Sequence, residues 1–150
     1  SKYTDFSKID VADMTLVKGA RQEELETCIT VIHVSETDLL IPDFALEPES
    51  FGTKFSEIIG AMDIDFPEYP EFSRKYYLRG EPEAVIREFF SDPIVRFLEN
   101  REEMHIECHR HRLLFYKKLQ LLEAYEIAFL EKYAADFVQV VRQRVEQTVE

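Results

Sequence analysis

Apolar and polar residues alternate through Ile9, Val11, Ala12, Met14 and Leu16, and again through Cys28-Ile29-Thr30-Val31-Ile32-His33-Val34. A period near two with many β-branched residues predicts two half-buried strands, and Gly19-Ala20-Arg21-Gln22 joins them as a hairpin. The second run places Ile29, Val31 and His33 on one face and Cys28, Thr30, Ile32 and Val34 on the other. Apolarity on both faces predicts a central strand. Arg74 to Arg79 (RKYYLR) is strand-like and stops at Gly80. Met104 to Lys117 reads as a second hairpin, with arms Met104-His105-Ile106-Glu107 and Leu113-Leu114-Phe115-Tyr116. Its tip is Cys108-His109-Arg110-His111, and no glycine relieves it.

Elsewhere the spacing shifts to three and four. Glu81-Pro82-Glu83 opens a helix with proline in the first turn and acids favourable to the dipole, and Val85, Ile86, Phe89 and Phe90 form its buried face. Ser91-Asp92-Pro93 repeats the signal for a short helix through Ile94, Val95, Phe97 and Leu98. Glu49 to Ile59 carries Phe51, Phe55, Ile58 and Ile59 at helical spacing, inside a stretch broken by Pro42, Pro48, Pro67 and Pro70 that otherwise reads as surface crossing. Leu119 to Thr148 predicts one long helix, with Leu122, Tyr125, Phe129, Tyr133, Phe137, Val140 or Val141, and Val145 along one face, Val141 and Val145 being expected in the contact with a partner. Leu121, Ile127, Ala128, Leu130, Ala134 and Val138 make its other sides apolar as well. Such a helix buries one face in its own domain and another in a partner, and its last turns, from Arg142 to Glu150, are expected to project or meet that partner. The fold predicted is a single α+β domain over residues 1–150, an antiparallel sheet of about five strands with helices on one face and a long C-terminal helix.

Composition narrows the function classes. With 150 residues, 45% hydrophobic and 32% charged, the chain has the makings of one globular domain, and no run approaches the ~18 apolar residues of a membrane span. The chain holds 30 acids against 18 bases, a net charge of −12, and ten of those acids lie between Glu36 and Glu71 beside a single base, Lys54. That balance repels nucleic acid, and the small basic run Arg110, Arg112, Lys117 and Lys118 is too short for a nucleic-acid footprint. Cys28 and Cys108 read as free thiols. Ser1-Lys2, with no start methionine and no charged or apolar leader region, reads as the edge of a longer chain.

The densest chemical constellation is His105, Glu107, Cys108, His109 and His111. Imidazoles and a carboxylate at period two share one face of a strand, so His105, Glu107, His109 and His111 form a candidate metal site, with Cys108 beside them. The competing reading is a polar hairpin tip, since no second ligand cluster such as C-x₂-C exists. Asp63-x-Asp65 is a weaker divalent-cation candidate against a solvated turn. The glycines are only Gly19, Gly52, Gly60 and Gly80, and they form neither a P-loop nor a dinucleotide fingerprint, so no cofactor is expected. Cys108 beside His109 is a nucleophile pair by sequence alone, and His33 among Ile32 and Val34 reads as a sheet-face histidine. The run from Phe66 to Phe72 is either an exposed recognition surface or a core edge.

The segments Pro42-Asp43-Phe44-Ala45-Leu46-Glu47-Pro48-Glu49, Asp63-Ile64-Asp65-Phe66, Pro70 to Gly80, Ile86-Arg87-Glu88-Phe89-Phe90 and Arg112-Leu113-Leu114-Phe115-Tyr116 resemble a family of uncharacterised bacterial proteins common in cyanobacteria. The resemblance covers roughly half the chain. It implies a domain that follows membrane-spanning helices and has no assigned activity, so the expected location is cytoplasmic, tethered to the inner membrane by a neighbouring segment. It carries no catalytic residues, and at the hairpin tip this chain has Cys108 to His111 where the family tends to have Gly or Asn. The function expected is a non-catalytic binding or assembly module, a homo-oligomer formed through the C-terminal helix. The rival expectation is a metal-dependent enzyme or metal sensor built on His105 to His111.

Overall fold

The computed structural model describes residues 2–4, 7–18, 25–35, 38–51 and 63–149. Its strands are β1 (Lys2–Thr4), β2 (Ser7–Lys18), β3 (Leu25–Ser35), β4 (Phe44–Pro48), β5 (Tyr76–Gly80), β6 (His105–His109) and β7 (Arg112–Tyr116). They form one seven-stranded sheet in the order β1-β2-β3-β7-β6-β4-β5, and each neighbouring pair is antiparallel. The described helices are α1 (Pro70–Lys75), α2 (Glu83–Phe89), α3 (Asp92–Asn100) and α4 (Ala124–Val149). The class is α+β with a long C-terminal helix, as the periodicity predicts, but the strand count of about five is too low.

The two strands beyond expectation have separate causes. β1 is three residues long and carries no periodicity to detect. β4 lies between Pro42 and Pro48, which give the segment the look of a loop. Pro48 stands at the end of the strand, beyond the last β6 pairing at Leu46, so its missing N–H interrupts no bond to that neighbour. The strand expected at Arg74–Arg79 is displaced: Pro70 lies in the first turn of α1, which runs to Lys75 before β5 begins. Of the helix expected at Glu49–Ile59, a 3₁₀ turn at Glu49–Phe51 is seen, and the remainder falls outside the described residues, as does the turn at Gly19–Gln22.

One sheet face carries the core. Ile32, Leu46, Leu78, Ile106 and Phe115 meet across neighbouring strands in register and join Ile86, Phe90, Ile94, Leu98, Tyr133 and Phe137 in one buried cluster. The described helices therefore gather on one face. Ser91 precedes α3 with extended backbone, as an N-cap should, but its hydroxyl makes no capping bond. At the other end of α3 the Lys75 ammonium donates to the carbonyls of Leu98 at 3.0 Å, Glu99 at 3.2 Å and Arg101. Those carbonyls have no intrahelical donor, so a cation from α1 completes the helix end. Burial holds the Lys75 pKa below its usual value.

α4 departs from expectation in its start and its buried face. Residues 117–123 are not helical, and Gln120 O accepts from Thr30 N at 3.2 Å while Thr30 Oγ1 accepts from Leu122 N at 2.9 Å. Among its described side chains, which end at Arg144 and so leave out Val145, α4 buries Leu130, Tyr133, Ala134, Phe137, Val138 and Val141. Tyr125 and Phe129, predicted on one face with Tyr133 and Phe137, are exposed, and Val141, expected in the contact with a partner, is buried in its own core. A row of residues four apart advances by about 400° per step, so it drifts about 40° around the helix each time. Followed back from Phe137, the row turns out of the core at Phe129 and further at Tyr125. The C-terminal turns expected to project are instead held to their own domain as far as Arg144. Arg142 Nη1 lies 2.9 and 3.0 Å from the Asp38 carboxylate oxygens, and Arg144 Nη2 donates to Glu88 O at 2.7 Å.

Gly80 ends β5 where the chain is crowded. A Cβ there would lie 2.7 Å from Ile86 Cδ1 and 2.9 Å from the Asp43 backbone oxygen. The Ile86 methyl has some freedom to move, whereas the Asp43 carbonyl belongs to the loop feeding β4. Gly80→Ala is expected to destabilise the domain by about 1–3 kcal/mol through overpacking, read as a lower urea midpoint at unchanged slope.

Candidate functional site

The four candidate metal ligands separate once β6 and β7 are folded. His105 is 3% exposed, and its ring stacks on Tyr116, its cross-strand partner, with centroids 4.4 Å apart and planes within 11°. Burial brings its pKa down to about 4, so the imidazole is neutral in the fold at neutral pH. Glu107 faces Leu114 on one side and Ala45 on the other. Burial raises its pKa, with Arg79 opposing the shift. His109 is exposed and places Nδ1 3.2 Å from Asp43 Oδ2. His111 sits past the turn with Nδ1 3.1 Å from Ile41 N and 2.9 Å from Ile41 O. Among the described residues no group of three or more His, Cys, Asp or Glu side chains is arranged to hold a metal ion. His105 is held against Tyr116, His109 lies at Asp43 and the turn sends His111 to Ile41, so each ring is engaged at a different place.

The other chemical candidates resolve similarly. Cys108 is buried with Sγ 3.8 Å from Ile41 O, and burial pushes its thiol up to about 12, with Asp43 adding to the shift. At neutral pH it is a protonated thiol and a poor nucleophile. Cys28 is an exposed free thiol. Asp63 is a structural acceptor: its Oδ1 takes the Leu78 N–H at 2.8 Å. Its pKa is raised by burial, while that hydrogen bond works in the opposite direction. Phe66 and Phe72 are buried edge to face with centroids 5.5 Å apart, so packing accounts for the ends of the aromatic run. Between them Tyr69 donates its hydroxyl hydrogen to Asp92 Oδ1 at 3.0 Å, beneath the Arg96 guanidinium.

Two exposed features stand apart from the core. One is the tip itself, where Arg110 has φ 50° and His111 φ 65°. The second surrounds the start of α4. Leu121 is 54% exposed, Tyr125 76% and Phe129 44%, and Ala124 and Ala128 are exposed between them. Phe129 divides two adjoining grooves, of about 320 Å³ towards Lys117, Lys118 and Tyr125, and about 430 Å³ towards Arg101, Lys132 and Tyr133. Charges of both signs frame them. Lys118 Nζ is 3.0 Å from Glu126 Oε2, Lys117 meets Glu102, and Lys132 and Arg101 both lie 3.0 Å from Asp136 Oδ2. The Lys118 hydrogen bond holds the Glu126 carboxyl below its ordinary pKa. Burial alone would raise Asp136, but Lys132 and Arg101 keep it low.

The periodicity hides this patch, because Tyr125 and Phe129 carry the spacing of a core face. No family model, no curated protein and no solved structure matches the chain. No described helix is long and apolar enough to cross a membrane.

The depressed His105 pKa has a defined consequence. The unfolded state takes up this proton near pH 6.5 and the folded state only near pH 4, so stability falls as pH drops through that window. Wild type is expected to lose about 2 kcal/mol more than His105→Gln between pH 7 and pH 5, measured by urea unfolding at both values.

Proposed function

We propose that this chain is a non-catalytic assembly module whose partner is a second copy of itself, docked through the first turns of α4. The observation that carries the reading is the exposed stripe Leu121, Ala124, Tyr125, Ala128 and Phe129. From Ala124 onward small and large side chains alternate there at the spacing by which helices interlock. A two-fold interface must be self-complementary, so that each residue meets a residue of the same patch on the copy. Lys117, Lys118, Arg101 and Lys132 interleave with Glu102, Glu126 and Asp136 around the stripe. Two copies can therefore exchange ion pairs across the axis, whereas a strongly acidic or strongly basic partner would meet like charge. A tether at a membrane, which the sequence resemblance implies, would favour such pairing by raising the local concentration.

Among the described residues the buried histidine is neutral, the buried thiol is protonated, and the buried tyrosines have pKa values raised by burial.

Tyr125→Glu together with Phe129→Glu is expected to turn a dimer into a monomer in sedimentation velocity, with unchanged far-UV circular dichroism and little change in Tm. Val141→Asp is a control of the opposite kind: Val141 is 1% exposed within its own domain, so that change should unfold the protein. A wild-type chain that stays monomeric at high micromolar concentration, or a double variant that still dimerises, refutes the reading.

A further inference from the structure

The hairpin tip holds two residues against their backbone preference. A two-residue turn between antiparallel strands needs positive φ at both positions, which Gly and Asn provide at little cost. Other L-residues there are destabilised by roughly 1–2 kcal/mol each. Here the positions hold Arg110 at φ 50° and His111 at φ 65°. His111 is repaid inside the fold by its contacts with Ile41 N and O. The Arg110 backbone is also used, since its N–H donates to Asp43 Oδ1 at 2.9 Å.

The Arg110 side chain has no such return. Neither its guanidinium nor that of Arg112, two residues on, has an ion-pair partner among the described residues, and both residues are exposed. This occurs on a chain with 30 acids against 18 bases, in which the arginines of α1, α2 and α3 each find a carboxylate. Asp43, the nearest acid in the turn, is already engaged: Oδ1 takes the Arg110 N–H and Oδ2 faces His109. The backbone contacts thus account for the turn, and they leave two neighbouring guanidinium groups exposed with no ion pair among the described residues.

We propose that the tip is a recognition site for a phosphate-bearing ligand, bound by the guanidinium groups of Arg110 and Arg112. A planar guanidinium presents paired N–H donors that match phosphoryl oxygens, and an arginine with no carboxylate partner gives up no ion pair to bind. The rigid turn fixes where both side chains leave the backbone. The tip is convex, so the phosphate must come to it, either free in solution or displayed on a surface.

The test uses the full chain with pyrophosphate, with citrate as a carboxylate control, and with phosphatidylcholine vesicles with and without phosphatidylglycerol. Wild type should bind pyrophosphate or the phosphatidylglycerol vesicles. Pyrophosphate binding identifies a free phosphate, whereas binding only to the anionic vesicles identifies a headgroup. Arg110→Asn, which suits the turn, should lose at least tenfold in affinity while Tm stays level or rises by about 2–4 °C. Arg112→Gln, which leaves both turn positions untouched, should lose affinity at unchanged Tm. Absence of binding to both phosphate probes, citrate binding as tightly as pyrophosphate, or full affinity in both variants overturns the proposal.

Discussion

Four aromatic rings join the sheet to its two longest described helices, and the rest of the structure is arranged around that contact. Phe115 of β7 lies 6.1 Å from Tyr133 and 5.6 Å from Phe137 of α4, and Phe97 of α3 lies 5.3 and 5.9 Å from the same two rings. All four pairs are edge to face, the geometry in which ring quadrupoles attract. A helix of 26 residues is roughly 39 Å long, and one ring cluster can set its rotation at only one place. With Tyr133 and Phe137 turned inward, helical geometry carries Phe129 and Tyr125 outward. The exposed stripe is thus a consequence of how the core is keyed, and it lies where α4 begins.

A second constraint operates at the opposite end of the β6–β7 hairpin. The loop Ile41–Asp43 grips the tip through its own backbone and one carboxylate, taking contacts from Cys108, His109, Arg110 and His111. That loop is positioned in turn by the Asp43 carbonyl packed against Gly80. Three strands therefore share one junction: β6 and β7 through the turn, β5 through Gly80. β4 begins at Phe44, immediately after it. This arrangement lets two non-glycine residues occupy a left-handed turn, because several independent contacts determine the same backbone path.

The parts of the fold legible in the sequence were those whose local signal agreed with their tertiary role. β3 read as central from its two apolar faces, and α2 and α3 from prolines in or beside the first turn followed by apolar residues at three and four. β4 was hidden because Pro42 and Pro48 speak of loops while Phe44 and Leu46 are held by β5 and β6, partners distant in sequence. The buried face of α4 is hidden for a different reason. Spacing by four describes a row on the helix surface, and a row is not a face, since it winds out of contact over three turns. At the candidate site, the absence of glycine at the tip was visible from the start. That Asp43 and Ile41 meet the tip was not, because the contact spans about seventy residues and no pattern at either end announces it.

The same folding physics decides what kind of chemistry the molecule keeps. Its ionisable groups divide by depth. His105, Glu107 and Cys108 alternate between the two faces of one strand, and all three are shifted by burial towards their neutral forms. Burial is the largest cause of each shift, and it works against the charged form of each group. Charge is retained at the periphery, in the pairs framing the start of α4 and in the arginines of the tip. The apolar stripe and the two exposed arginines stand on different elements, one at the start of α4 and the other at the β6–β7 turn, so neither is built at the expense of the other.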